Sequence, residues 1–399
     1  MSLKKVHFLN DLLEKHQIAP GYKTLRYSFN DAPFYETEPN TLPETSQVII
    51  AFPTFLKPTF QNDSFKTKKI VQKYLDSYGI TIAPTITNID HYVNAHFSKS
   101  SRTPILKKMK RLESCFNIRY HVYYGEISKE TYTSIINKTH AMLVRRFNQR
   151  NDNNFILNNW KKYEALLFPL INARKASVFV IYNEDTPIQV SINFHYQKTF
   201  FAYIPAYDID YAQFGLGNTA VYKQLEWCIE NNYAYLDMGN GDYDYKKRWC
   251  NYHYQLETHI QYKSSSLRHR LLATKELNII KLKNGIKTWI NSPFYAKIKS
   301  VIATKTPLND SFSCANYTIE NLNEALLHKS DALQRIDLKK TTDFQELKKP
   351  LCDFLYTTKC HSDTVTIHKI INETHTFLIT GGSSSIKVIF NQNPNMAHA

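Results

Sequence analysis

The chain has 399 residues, 43% of them hydrophobic and 14% aromatic, with only 10 glycines and 15 prolines. Such a composition builds two or three packed domains and excludes a long disordered or low-complexity stretch. The formal net charge of +15 attracts polyanions of any kind without naming one.

The opening MSLKKVHFLNDLLEKH interrupts every apolar run with charge, so it does not read as a signal peptide, and no window reaches the roughly 18 uncharged apolar residues of a membrane span. The six cysteines (Cys115, Cys228, Cys250, Cys314, Cys352, Cys360) are scattered without CxxC spacing. They read as reduced thiols, which implies neither a disulfide frame nor a metal site and suits a cytoplasmic protein.

In chain order, the first hundred residues read as mixed α/β. Val48–Phe52 (VIIAF) is predicted as a strand and Ile70–Gly79 (IVQKYLDSYG) as a helix stopped by glycine. Thr103–Cys115 reads as a helix, Ile118–Tyr124 as a strand, and Ser128–Phe147 as a long helix with a single apolar face. The basic runs Lys66–Lys69 and Lys107–Arg111 are expected to be solvated helix faces. A second helix, near Trp160–Ile171, precedes a switch to period two.

Ala176–Tyr182 is predicted as a buried strand. In IQVSINF, Ile188, Val190, Ile192 and Phe194 should face inward, with Gln189, Ser191 and Asn193 facing out. Thr199–Ile204 completes an antiparallel meander. A polar connection, PAYDIDYAQFGLGN, leads to the helix TAVYKQLEWCIENN and the strand YAYLDM. Basic helices are expected to about residue 303. The remainder reads as a small α+β unit ending in the hairpin THTFLITGGSSSIKVIF, whose glycine-serine cluster is a turn.

The segment DMGNGDYDYKKRW, Asp237–Trp249, is unusual. It concentrates two of the ten glycines, the carboxylates Asp237, Asp242 and Asp244, and the bases Lys246, Lys247 and Arg248 at the end of an apolar strand. A charged turn with a self-paired, solvated patch is the plain explanation. The signatures GxxxxGK[ST], GxSxG and HExxH are absent. GLGNTA, Gly215–Ala220, matches a dinucleotide-binding fingerprint, but ten residues separate it from the preceding strand and the strands before it form hairpins, which speaks against a nicotinamide site.

A meander, a glycine-bearing loop that opens a helix, and one more strand also describe the core of GNAT-type acyltransferases. There, free amides at a helix N-terminus bind a pyrophosphate. Tyr207-Asp208, FGLGN, LEWCIENN and LDMGNGDYDYKKRW resemble the CelD-like family (BioF-type acetyltransferase domain), which is similar to FemAB-like aminoacyl transferases. The resemblance covers roughly Thr103 to Tyr262.

It implies an α/β (α+β) fold with a GNAT acyl-CoA N-acyltransferase core, tandem GNAT-like halves and a small C-terminal α+β unit. The implied division is 1–110 as an N-terminal half, 111–262 as the core, 263–303 as a basic helical segment and 304–399 as the last unit. The resemblance further implies acetyl-CoA as co-substrate, bound by Gln213, Gly215, Gly217, Asn218, Thr219 and Ala220. Asp237, Tyr245, Lys246 and Asp208 would be catalytic, with no metal. The loop is one residue shorter than the general [QR]xxGx[GA], so the place of Gln213 is open. The implied acceptor is an amine or hydroxyl of an anionic or sugar-like compound, such as a cell-envelope polysaccharide. Two alternatives stand beside this reading: a FemAB-like transferase using aminoacyl-tRNA, and a GNAT-like fold kept as a non-catalytic binding module.

Overall fold

A computed structural model describes residues 3–391 apart from 37–42, 44, 61–63, 151–154, 242, 291–316, 323–332, 339–342 and 372. Asp242 and Cys314 of the sequence reading therefore lie outside the described residues, as does the end of the basic segment.

The N-terminal part comprises β1 (Lys4–His7), α1 (Phe8–Lys15), β2 (Tyr22–Tyr27), β3 (Pro33–Glu36), β4 (Gln47–Pro53), β5 (Leu56–Phe60) and β6 (Phe65–Thr81). Helices α2 (Ile89–His96) and α3 (Lys99–Cys115) follow. Next come β7 (Ile118–Tyr123), α4 (Lys129–Arg150), α5 (Phe155–Asn158) and α6 (Trp160–Asn172). The meander is β8 (Ala176–Asn183), β9 (Thr186–Tyr196) and β10 (Thr199–Tyr207). A short 3-10 turn, Ile209–Phe214, leads into α7 (Leu216–Glu230), β11 (Tyr235–Asn240), α8 (Asp244–Trp249) and β12 (Tyr252–Lys263). Beyond them lie α9 (Leu267–Ile290), β13 (Tyr317–Leu322), β14 (Leu333–Ile336), α10 (Lys348–Thr358), β15 (Thr366–Ile370), β16 (Thr376–Gly381) and β17 (Ser384–Phe390).

Nine strands form one sheet in the order β1-β4-β12-β6-β11-β10-β9-β8-β7. Its architecture is mixed α/β, as the sequence predicts. Each half contributes one parallel pair, β1–β4 and β10–β11, among otherwise antiparallel neighbours, consistent with tandem GNAT-like halves. The halves are nevertheless not side by side. Strand β6 of the N-terminal part is inserted between β11 and β12, and α3 runs across the expected boundary at residue 110.

One face of the sheet is covered by α1, α4 and α6 through residues such as Phe8, Leu12, Ile135, Leu143, Leu167 and Ile171. The other is covered by α2, α3 and α7, with Val93, Met109, Val221, Leu225 and Cys228 packed on Phe200 and Leu236. Helix α7 belongs there because its apolar residues recur at three and four positions, making one continuous stripe. A separate sheet, β13-β17-β16-β15-β14, with its β16–β17 hairpin, packs on α10 and matches the expected C-terminal unit.

Three expectations fail. Lys66–Lys69 lie in strand β6 and not on a helix face. Residues 70–79 are strand, the second half of β6, although Val71, Tyr74, Leu75 and Tyr78 recur at helical spacing. The register against β12 jumps from Val71↔Glu257 to Asp76↔Gln255. The extra residues between reset the strand's alternation and make it imitate a helix. In β9, Gln189, Ser191 and Asn193 are buried, each less than 5% exposed. The face expected to meet solvent is roofed by α7, whose Gln224 donates to Ser191 Oγ at 3.3 Å.

Candidate active site

The sheet opens at a fork. β10 and β11 pair only at Thr199↔Tyr235, Phe200↔Leu236 and Phe201↔Asp237. Beyond that point each strand stays with its other neighbour, and each is irregular at once: β10 between Ala202 and Ile204 against β9, β11 between Asp237 and Gly239 against β6. Paired bulges re-aim the two strands, so among the described residues the backbone edge of β10 past Phe201 has no partner strand. Asp237 is the last paired residue, at the vertex.

A pocket of about 360 Å³ lies at this vertex, lined by Phe201, Ala202, Tyr203, Asp237, Lys246 and Tyr254, with Asn10 and Leu13 of α1 on its opposite wall. Asp237 is 5% exposed. Its Oδ1 accepts from Tyr254 Oη at 2.7 Å and from the Gly239 amide at 3.2 Å. Burial pushes the carboxyl up from 3.8 to about 6, against the pull of those two bonds and of the Lys246 charge.

Lys246 comes from the helical turn α8, which begins three residues after Gly241. The glycines make this possible: Gly239 sits at φ +68°, a left-handed conformation that turns the chain at little cost. Lys246 is 6% exposed, whereas Lys247 and Arg248 are exposed. Its Nζ donates to the carbonyls of Asn240 at 2.5 Å and Gly239 at 3.4 Å, so it also pins the turn that carries it. Burial lowers its pKa while Asp237 works to raise it.

Tyr245 takes another side of α8, packing toward the cluster that holds Phe97 and Trp249. Burial holds its hydroxyl up at about 12, with Tyr243 adding to the rise and Arg146 opposing it. Tyr207, at the far end of β10, also acts on it.

The loop Gly215–Ala220 forms the start of α7. Gly215, at φ +68°, is its left-handed N-cap, and no side chain caps the helix. The amides of Asn218 and Thr219 both donate to the Gly215 carbonyl, at 3.0 and 3.2 Å. Among the described residues, nothing accepts from the amides of Leu216 and Gly217. Of the amides the sequence reading names, those of Asn218 and Thr219 are therefore taken, the open donors are Leu216 and Gly217, and Ala220 is buried in the interior. A side chain at Gly217 would meet nothing within 4 Å, while the stem of Lys108 lies against Gly215. Gln213 is exposed on the preceding 3-10 turn. Trp249 Nε1 donates to Asn218 Oδ1 at 2.9 Å, so the turn bearing Lys246 is tied directly to the start of α7.

Asp208 is not part of this group. It is 5% exposed, and its oxygens take Arg145 at 3.1 Å and Lys348 at 2.6 Å, with Arg145 also holding Asp210 at 2.7 Å. Although burial alone would raise its pKa, Lys348, the Asp210 amide and Arg145 lower it. A carboxylate so paired is a structural anchor for α4 and α10 and a poor base. The sequence reading missed Tyr254, Lys108 and the α1 wall. Lys108 belongs to a basic run that gives no sign of which lysine faces the loop, and Tyr254 is one tyrosine among 27.

Residues 99–247 match the sequence model of a family described as an acetyltransferase (GNAT) domain. No curated protein matches the chain. Among solved structures, the chain is similar to a conserved protein of unknown function from Bacteroides thetaiotaomicron VPI-5482, with 8% identity over 54% of this chain and 69% of that one and a TM-score of 0.36. It is similar to L-PGS from Bacillus licheniformis at 11% identity, 59% and 72% coverage and a TM-score of 0.35. It is similar to FemX at 12% identity, 58% and 75% coverage and a TM-score of 0.39. Likenesses at this level assign nothing by themselves. The family match stands apart from them and covers the meander, the α7 loop, the forked strands and Lys246: residues 99–247 match a GNAT-type acetyltransferase domain, which supports an acyltransferase enzyme.

Proposed function

We propose that the chain moves an acyl group, acetyl in the simplest case, from acyl-CoA to an amine or hydroxyl, within one complex of both substrates. The observation that carries this reading is the fork itself. A buried carboxyl at about 6 stands at the vertex where β10 offers an unpaired backbone edge, and the α7 start tied to it has open amides. A pyrophosphate suits the Leu216 and Gly217 amides, which combine free donors with a helix N-terminus. Gly217 leaves room for it, and Lys108 is the nearby cation.

In this reading Asp237 takes the proton of the attacking amine or hydroxyl. A base near 6 is ionised at neutral pH and strong enough to help, unlike an exposed aspartate near 4. As the new bond forms, the amides of β10 past Phe201 receive the charge that develops on the carbonyl oxygen. The carbon–sulfur bond then breaks, and Tyr245, protonated at neutral pH because its hydroxyl is held at about 12, returns a proton to the thiolate. Lys246 holds the turn and offsets the Asp237 charge.

The CelD-like affiliation and a sugar or envelope-polysaccharide acceptor remain part of this proposal, resting on the segments quoted from the sequence. A +15 chain also suits an RNA-borne donor, since phosphate contacts favour basic surfaces. Separate calorimetric titrations with acetyl-CoA and with aminoacyl-tRNA decide the donor. Saturable binding of acetyl-CoA supports the proposal; binding of aminoacyl-tRNA alone replaces the donor; binding of neither refutes both.

A further inference from the structure

Helix α9 is the feature least explained by acyl transfer. One face docks on β6 and β12, where Ala273, its one fully buried residue, packs with Ile260 and Tyr262, and Leu272, Leu277 and Ile280 close the contact. Lys68 Nζ donates to Thr274 Oγ1 at 3.1 Å and Asn284 Nδ2 to the Val71 carbonyl at 3.3 Å. So the helix has a settled inner side.

Its outer side is apolar where it should be polar. Leu267, Leu271 and Leu282 are 69%, 64% and 66% exposed, Ile286 is 49% and Trp289 51%. At 3.6 residues per turn these five fall within one arc of about 100°. A helix docked on a core ordinarily turns charge toward water there. Instead the charge lies in and beside the arc: Arg270 and Lys281 along one border, Arg268 and Lys283 along the other, Lys275 among the leucines, with Glu276 the single acid of the helix. An exposed apolar row of this length is a contact surface and not scattered surface hydrophobes.

We propose that the outer face of α9 docks the protein on an anionic lipid surface, with the leucine row dipping into the headgroup boundary and the flanking bases meeting the phosphates. Charge complementarity selects this occupant. A second copy of the chain, brought face to face through the same row, would set one run of bases against another. A nucleic acid would use the bases but leave Leu267, Leu271 and Leu282 without purpose. An anionic bilayer uses both, and the two signals together give stable yet reversible attachment where either alone is marginal. The helix does not span: among the described residues no helix is long and apolar enough to cross a membrane.

Cosedimentation of the full chain with vesicles tests this. Vesicles of equal parts phosphatidylglycerol and phosphatidylcholine should carry the protein down, and pure phosphatidylcholine should not. The pair Leu282→Glu and Ile286→Glu should weaken binding about tenfold or more, because apolar contact is replaced by repelled charge. Lys281→Glu with Lys283→Glu should weaken it by about twentyfold or more, at about fivefold for each base lost. All four sites are exposed, and melting curves matching the parent confirm folded variants; Leu271→Glu replaces the first pair should it unfold. Failure to bind anionic vesicles, or binding untouched by the leucine–isoleucine pair, overturns the proposal. A dimer in analytical ultracentrifugation that the same pair dissolves would assign the face to self-association. Binding to single-stranded RNA tighter than to vesicles, and indifferent to that pair, would assign it to nucleic acid.

Discussion

Tyr254 on β12 reaches past β6 to donate its hydroxyl to Asp237 on β11, at 2.7 Å. The two residues come from strands that are not neighbours, and the strand between them belongs to the N-terminal part of the chain. The vertex of the acyltransferase fork is thus completed by elements outside the segment 99–247 that carries the family match.

Asp237→Asn keeps the side chain's shape and its acceptor oxygen but removes the base. We expect kcat/KM of the parent to rise with pH through about 6, as Asp237 ionises, and the variant to lose about two to four orders of magnitude together with that acid limb. A pH–rate profile measures both. Undiminished turnover would remove Asp237 from the chemistry.

The same residue sets a stability profile. The folded chain holds the Asp237 proton up to about pH 6, the unfolded chain only to about pH 4. The stabilising protonated form is fully present below pH 4, and its contribution is lost as pH rises to 6, by roughly 3 kcal/mol in all. Asp237→Asn should therefore melt above the parent at pH 7, and the difference should vanish near pH 4. Parallel melting curves at several pH values check this.

Tyr254→Phe removes a bond that holds the Asp237 pKa down, leaving the Gly239 amide as its partner. The acid limb of the rate profile should move to higher pH, with the plateau less affected than in Asp237→Asn. A purely structural tyrosine would lower stability without moving the limb.

Lys246→Met should lower turnover by about two to three orders of magnitude, since it removes both the cation beside Asp237 and the clamp on Gly239 and Asn240. Lys247→Met, at an exposed position, is the control and should change little. Equal small losses in steady-state assays would mean the basic run is only a solvated patch.

Gly217→Val adds a side chain where the structure has open space, so the fold should persist while an anion is kept from the Leu216 and Gly217 amides. A lost charge-assisted bond of about 1.5–3 kcal/mol corresponds to roughly tenfold to hundredfold weaker CoA binding. Lys108→Ala should weaken it in the same direction. Calorimetric affinities equal to the parent's would place the phosphates elsewhere.

Much of the architecture was legible because it is local. The stripe of α7, the alternation of the meander and the β16–β17 hairpin are written in spacings of two, three and four residues. The helical turn bearing Lys246 forms because Gly239 and Gly241, both at positive φ, permit it. What could not be read is what depends on distant pairing. The bulge that disguises β6 as a helix has its cause in β12, more than 170 residues away. Asp208 and Asp237 look alike in sequence, since each closes a strand. Only Arg145 and Lys348, from distant helices, make the first an anchor, and only the fork leaves the second in a pocket.

The central place of β6 also governs how the molecule can come together. Strand β11 has β6 on one edge, and β12 has β6 on one edge as well. β11 finds only β10 in the stretch that directly precedes it, and β12 finds neither of its neighbours, β4 and β6, there. Loop closure over such separations is slow and must be completed before the sheet gains its pairing energy. The segment 99–247 made alone would leave the β11 edge bare, an invitation to strand exchange and aggregation. We therefore expect the segment 99–247 not to fold on its own, and the two halves of the sheet should melt in a single cooperative step.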